Sequence, residues 1–152
     1  MFNLIITIIA IAVFAAFFSA GAGYINPDVI RHMGDKTVIR TALVQYSSGV
    51  MNYNLINDFY PEVKEQFIPD FTSQPILPKY LAEHSYKVNR VTGSSEVCFI
   101  AEIDTKAKLS LLKSISGEEV ATNFIISDSC GSQVESLPIE FPSQKRITYI
   151  IR

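Results

Sequence analysis

The sequence predicts an α+β fold, in which a long N-terminal helix packs on a small antiparallel sheet and a disulfide bounds the C-terminal region. Three observations lead to this prediction. The chain opens with an uncharged apolar segment, a helical pattern of apolar residues follows Pro27, and short β-branched stretches separated by turns fill the remainder. The predicted regions are a segment 1–27, a helical half 28–60 and a head 61–152.

The N-terminal segment is suited to a non-aqueous environment. No acidic or basic side chain precedes Asp28. A membrane-spanning helix needs about 20 mostly apolar residues, and residues 2–22 match that length. The segment can therefore lie in a bilayer or in the core of a bundle of its own copies. The candidate core residues are Leu4, Ile5, Ile8, Ile11, Val13, Phe14, Phe17 and Phe18.

A junction rich in helix breakers ends this segment. Gly21 and Gly23 each lower helix stability by about 1 kcal/mol relative to alanine, and Pro27 disfavours helix at the residue before it. We expect a kink or an unwound stretch here. A cleavable signal peptide is the alternative, because residues 20–22 fit a small-x-small cleavage site, although no basic residue precedes the apolar run.

Residues 28–60 have the spacing of a helix with two apolar faces. One stripe consists of Met33, Thr37, Val44, Met51 and Leu55. The second face consists of Ile39, Leu43, Tyr46, Val50 and Tyr53. Two faces indicate burial on two sides, one against the chain's own domain and one against another chain. We expect the face at 39–53 to distinguish an assembling subunit from a plain membrane anchor. With both helical halves intact, the spine would reach about 85 Å.

The Pro-rich stretch 61–80 predicts an ordered loop with at most one short helical turn, and Pro61 predicts the end of the long helix near Tyr60. The candidate anchors of this loop are Phe67, Phe71, Ile76 and Leu77. The alternating stretch 84–92 predicts a strand, and residues 93–95 a turn. For residues 96–103, which include Cys98, a capping serine favours a short helix, with a strand as the alternative.

The last third of the chain predicts two more strands. Residues 104–115 fit either a helix or a polar loop, and residues 120–127 read as a strand followed by a turn at 128–131. Residues 145–152 are apolar on both faces, which predicts a strand inside the sheet. Cys98 and Cys130 favour a disulfide if the chain is exported. Two buried free thiols are the alternative.

The sequence lacks the common catalytic, nucleotide-binding and calcium-binding motifs. The chain has no GxSxG, GxGxxG or Walker motif and no calcium-ligand spacing. His32 and His84 have no metal-ligand spacing to the cysteines, and we interpret them as surface or interface residues. Glu118 and Glu119 fit a solvated turn. The formal net charge of −2 and the absence of a basic cluster give no sign of a nucleic-acid partner. We expect no enzyme and no cofactor.

Together, these features resemble the type IV pilins. The order of the strand HSYKVNRVT, the string SSEVC, the late Cys130 and the terminal strand KRITYIIR looks like the type IVb pilins of bundle-forming and conjugative thin pili. The resemblance implies a terminal strand within the sheet and a Cys98–Cys130 disulfide that bounds the surface-exposed region. It also implies that a prepilin peptidase removes a basic leader and that Met1 or Phe2 is N-methylated.

The resemblance further implies a structural subunit of a bacterial surface filament. Its partners would be copies of itself, the inner membrane before assembly and the pilus assembly machinery. Most pilins carry a glutamate at the fifth mature position, whereas this chain has Ile5 there, or Ile6 if the count starts at Phe2. Minor pilins and tip pseudopilins can lack that acid. These, and a membrane-anchored exported binding domain that does not polymerise, are the alternatives.

Overall fold

The computed structural model describes residues 7–13, 15–16, 27–89, 93–116, 123–131 and 140–152. The chain divides into two compact units, residues 1–33 and 34–152. In the first unit, residues 7–13 and 15–16 are helical, and the predicted core residues Ile8, Ile11 and Val13 are exposed. Within the described residues, no helix combines the length and apolarity needed to cross a membrane. The other predicted residues lie outside the described ones: Met1, Leu4, Ile5, Phe14, Phe17, Phe18, Gly21 and Gly23.

Helix α1 spans Pro27–Asn57. Proline suits the first position of a helix, because its missing amide hydrogen would have no partner there. The helix ends three residues before the predicted position. Asp58 adopts a positive φ of 60°, and its N–H donates to the Asn54 carbonyl at 2.8 Å. The left-handed residue after Asn57 therefore closes the helix before Pro61 can.

The inner face of α1 packs on the sheet of the same chain. Ile39, Leu43, Tyr46, Val50 and Tyr53 are all buried in the hydrophobic core. The Tyr46 ring meets Phe99 edge-on, with 5.7 Å between the ring centroids. The expectation that the face at 39–53 distinguishes an assembling subunit is therefore wrong, because the domain itself covers this face.

The loop after α1 is ordered and contains a single turn of 3-10 helix, Lys64–Gln66. Phe67 is fully buried, and Phe71 and Leu77 pack against the core as predicted. The prediction for Ile76 is wrong, since 79% of it is exposed. On either side of it, Pro75 is buried and Leu77 is half-buried, so the loop reaches the core through these neighbours instead.

Among the described residues, four strands form one sheet with the order β1-β2-β4-β3. Every neighbouring pair is antiparallel. The strands are β1 (Leu81–Asn89), β2 (Ser94–Ile103), β3 (Phe124–Ser127) and β4 (Ser143–Ile151). The C-terminal strand lies inside the sheet, which confirms the prediction. The helix predicted for residues 96–103 is wrong, because this stretch is part of β2 and pairs with β1 on one edge and β4 on the other.

Helix α2, Lys106–Ser116, resolves the choice left open between a helix and a loop. Its buried residues Leu111, Leu112 and Ile115 join the core. The sheet residues Phe99, Ile147 and Ile126 stand opposite one another across three strands and are fully buried. Because partners in an antiparallel pair share a face, this row belongs to the inner face of the sheet, where Phe99 meets α1.

Candidate functional site

The side of α1 opposite the core carries exposed apolar residues. Thr37, Val44, Met51 and Leu55 follow one another at steps of seven, seven and four residues, and we call them the outer stripe. The exposed fractions are 46% for Val44, 41% for Met51 and 80% for Leu55. Steps of seven keep residues along one narrow line of a helix, which is the seam by which two helices pack together. Met33, the remaining member of the predicted stripe, belongs to the first unit and is also exposed.

A buried polar contact fixes the rotation of α1 on the sheet. The Tyr46 hydroxyl donates to Glu83 on β1. Glu83, whose side chain is only 14% exposed, also pairs with Lys64 at 3.0 Å. Burial, and then the bond to Glu83, raises the pKa of Tyr46 far above its usual value. Because the inner face is held in this way, the outer stripe is presented in a fixed orientation.

A second tyrosine joins the loop to the sheet. The Tyr86 hydroxyl on β1 lies 3.0 Å from the Pro61 carbonyl oxygen and 2.8 Å from Ser95 Oγ on β2. Its ring packs against Phe67 with centroids 5.4 Å apart. Burial raises the pKa of Tyr86 to about 12. The loop that follows α1 is therefore part of the rigid body that carries the outer stripe.

The predicted disulfide between Cys98 and Cys130 is present, with 5.7 Å between the Cα atoms. It joins β2 to the turn that follows β3. Beside it, the Gly131 N–H donates to Thr148 Oγ1 on β4 at 2.9 Å. Gly131 has a φ of 78°, which suits glycine. The turn at 128–131 is thus attached to two strands, β2 and β4.

The two histidines lie on different elements. His32 is half-buried on α1, and His84 is exposed on β1. Among the described residues, no group of three or more His, Cys, Asp or Glu side chains could hold a metal ion. Glu118 and Glu119 lie outside those residues.

Sequence reasoning misses two acidic residues that the structure makes prominent. Glu83 lies on β1, 37 residues after Tyr46, and this spacing contains no signal of their contact. The helical pattern places Asp58 inside a helix, yet this residue adopts the left-handed conformation. Aspartate tolerates that conformation better than most residues, so the stretch Asn57-Asp58 could have indicated an earlier helix end.

No known protein family, no curated protein and no solved structure matches this chain. Its function is therefore inferred from its own residues.

Proposed function

We propose that this chain is a structural subunit of an extracellular type IV pilus filament of the IVb-like class, with a pilin fold built on a long N-terminal helix. One observation carries the proposal: α1 is apolar on two opposite sides. Its inner face is covered by the sheet, and the outer stripe remains exposed. A domain that is only attached to a membrane anchor does not need a second row of apolar residues, exposed on a helix whose other face is already packed on the sheet.

Assembly is the proposed mechanism. The apolar segment 1–18 resides in the inner membrane, and the assembly machinery extracts it into a helical core shared by many copies. The heads coat the outside. Head-to-tail contacts that do not close into a ring extend into a helical filament.

Features of the second unit support a head that carries tension along a filament. The Tyr46–Glu83–Lys64 contacts and the Cys98–Cys130 bond hold the helix, loop and sheet as one body. The outer stripe can then transmit force between neighbouring subunits, with no flexible connection inside the head. Ile5, in place of the usual acid, favours the minor or tip subunit as the second candidate.

Shearing of intact cells tests the proposal. Filaments released by shear are imaged by electron microscopy, and their components are identified by mass spectrometry. We expect this chain as the main component, beginning at Met1 or Phe2 with an N-methyl group. A chain found at single copies per filament would establish the minor subunit instead. A chain that stays in the membrane fraction while filaments contain other proteins would contradict both.

A further inference from the structure

A second row of exposed residues runs beside the outer stripe on α1. It consists of Gly34, Thr41 and Ser48, which follow one another at steps of seven residues, and we call it the small row. Each member lies three residues before a member of the outer stripe, so the two rows alternate at steps of three and four. These steps place both rows on one face, with the spacing by which one helix packs on another. We call the two rows together the outer face.

The outer face lacks charge over most of its length. Residues 41–57 contain no acidic or basic side chain, although Val44, Met51 and Leu55 among them are exposed. The side of a surface helix that meets water is usually polar and charged. An uncharged face with exposed apolar side chains is instead suited to burial in an assembly, against a partner surface that also lacks charge.

The outer face is better suited to a helix than to a lipid surface. Small residues let the backbone of a second helix approach closely. At Gly34 an added β-carbon would meet no atom within 4 Å, so packing within the chain gives no reason for a residue that weakens a helix by about 1 kcal/mol. A helix that binds a lipid surface combines large apolar side chains with basic ones, and residues 41–57 contain no basic side chain.

The N-terminal segment is the part of this chain that matches the outer face. It is also uncharged, because no acidic or basic side chain precedes Asp28. Its residues 7–13 are helical, and the large side chains among them are 48–64% exposed. Such side chains fit as knobs into the spaces that small residues leave on a facing helix. Helix α2 does not match in this way, because its exposed side carries Lys106 and Lys113.

We propose that the outer face of α1 in one copy packs against residues 7–13 of another copy. The inference rests on the proposed function and deepens it by naming the segment of the neighbour that covers the outer stripe. The two surfaces differ, so each copy gives its N-terminal segment to one neighbour and receives the segment of another. Such a heterologous contact propagates, whereas a contact between two outer faces would be isologous and would close into a dimer.

A photo-cross-link in sheared filaments tests this contact. Cells make two full chains, one with p-benzoylphenylalanine in place of Met51 and one that carries Asn3→Gln as a mass label. After irradiation, mass spectrometry should find the probe joined to residues 7–13 of the labelled chain, which shows that the link is intermolecular. The same probe in place of Ala82, which is exposed on β1, is the control and should give no link to that segment.

A bulky residue in the small row tests how closely the two helices approach. Ser48→Phe should reduce sheared filaments by about tenfold, because an added ring overpacks a close helix contact. Ser48→Ala keeps the residue small and should leave filaments unchanged. Ser110→Phe makes the same change at an exposed position of α2 and should also leave them unchanged. Urea unfolding of Ser48→Phe should match the unaltered chain, because Ser48 is exposed in the single chain.

The outcomes separate this contact from the filament itself. Links from position 51 to a neighbour's head, to the segment of the same copy or to lipid would overturn the contact and leave the proposed filament intact. Normal filament counts for Ser48→Phe would do the same. The intermolecular link in cells that make no filaments would keep the contact and overturn the filament.

Discussion

Gly49 of α1 lies directly against Thr72 of the following loop. A β-carbon added at Gly49 would stand 2.6 Å from Thr72 Cγ2 and 2.8 Å from Phe67 Cδ2. Atoms cannot remain that close, and Phe67 is fully buried. Glycine is therefore required at this point of the helix for the loop to reach the core. Gly34, on the same helix, has no atom within 4 Å of its added β-carbon.

These two glycines give a matched pair of substitutions. Gly49→Ala should lower the free energy of unfolding by about 1–3 kcal/mol, the usual cost of overpacking. Gly34→Ala should raise it by about 1 kcal/mol, because alanine favours helix and meets nothing. Urea unfolding of both variants, followed by circular dichroism, measures the difference. Equal effects of the same sign would contradict the close packing of α1 on the loop.

The buried tyrosines predict loss of stability at alkaline pH. Burial raises the pKa values of Tyr46, Tyr86 and Tyr149, and for Tyr86 the change is from 10.0 to about 12. Between these two pH values the unfolded chain loses the proton that the folded chain keeps. Raising the pH therefore lowers the free energy of unfolding. Urea titrations at pH 8, 10 and 11, with tyrosinate absorbance, should show the decline starting near pH 10, and a flat profile would argue against it.

Reduction of the Cys98–Cys130 bond should destabilise the head. The bond spans 32 residues of sequence, and a loop of this length is worth about 3–4 kcal/mol by chain entropy. Unfolding with and without reductant measures the loss. Intact mass of native material should rise by two hydrogens on reduction. Two free thiols in the native protein would contradict the Cys98–Cys130 bond.

Strand β2 is an element that the local sequence pattern does not predict. Ser95 and Glu96 resemble the start of a helix, and this local signal favours one. In the fold, Val97 and Phe99 point to the core while backbone groups on both edges bond to β1 and β4. A strand in the middle of a sheet gains its stability from partners distant in sequence, which a local signal does not contain.

The sequence predicts the two apolar faces of α1 but not which of them packs on the sheet. Helical spacing identifies both correctly, because burial in a helix repeats every three or four residues. It cannot say which face meets the sheet, since Val44 and Val50 are equally apolar. The large Tyr46 and Tyr53 side chains fill the core next to Phe99 and Phe71. The position of β4 could be predicted from the sequence, because a strand with apolar residues on both faces is buried on both faces and therefore lies inside a sheet.

A carboxylate placed in the N-terminal segment should abolish filaments. Ala10→Asp or Ala15→Asp would bring an unpaired charge into an apolar core at a cost of several kcal/mol. Ala107→Asp makes the same change at an exposed position in the first turn of α2, where an acid suits the helix dipole, and is the control. Filament counts by electron microscopy compare the three. Normal counts for Ala10→Asp would contradict the core assignment.

The junction before α1 should be partly unwound in the filament. Gly21, Gly23 and Pro27 weaken the helix, and Ser19 offers the backbone a competing hydrogen bond. Unwinding gives about 3.3 Å per residue instead of 1.5 Å, so a few residues lengthen the spine by about 10 Å. Most of this stretch lies outside the residues that the structure describes. A reconstruction of the filament in which helical hydrogen bonding is unbroken from Phe14 to Pro27 would contradict the prediction.

A helical reconstruction of the sheared filament by electron cryomicroscopy tests the central claim most directly. We expect a core made of residues 1–18 from many copies, heads on the outside, and the outer stripe of α1 covered by a neighbour. Val44 and Met51 should then lose the exposure they have in the single chain. A filament whose core is built by another protein, or one in which the outer stripe faces solvent in every copy, would contradict it.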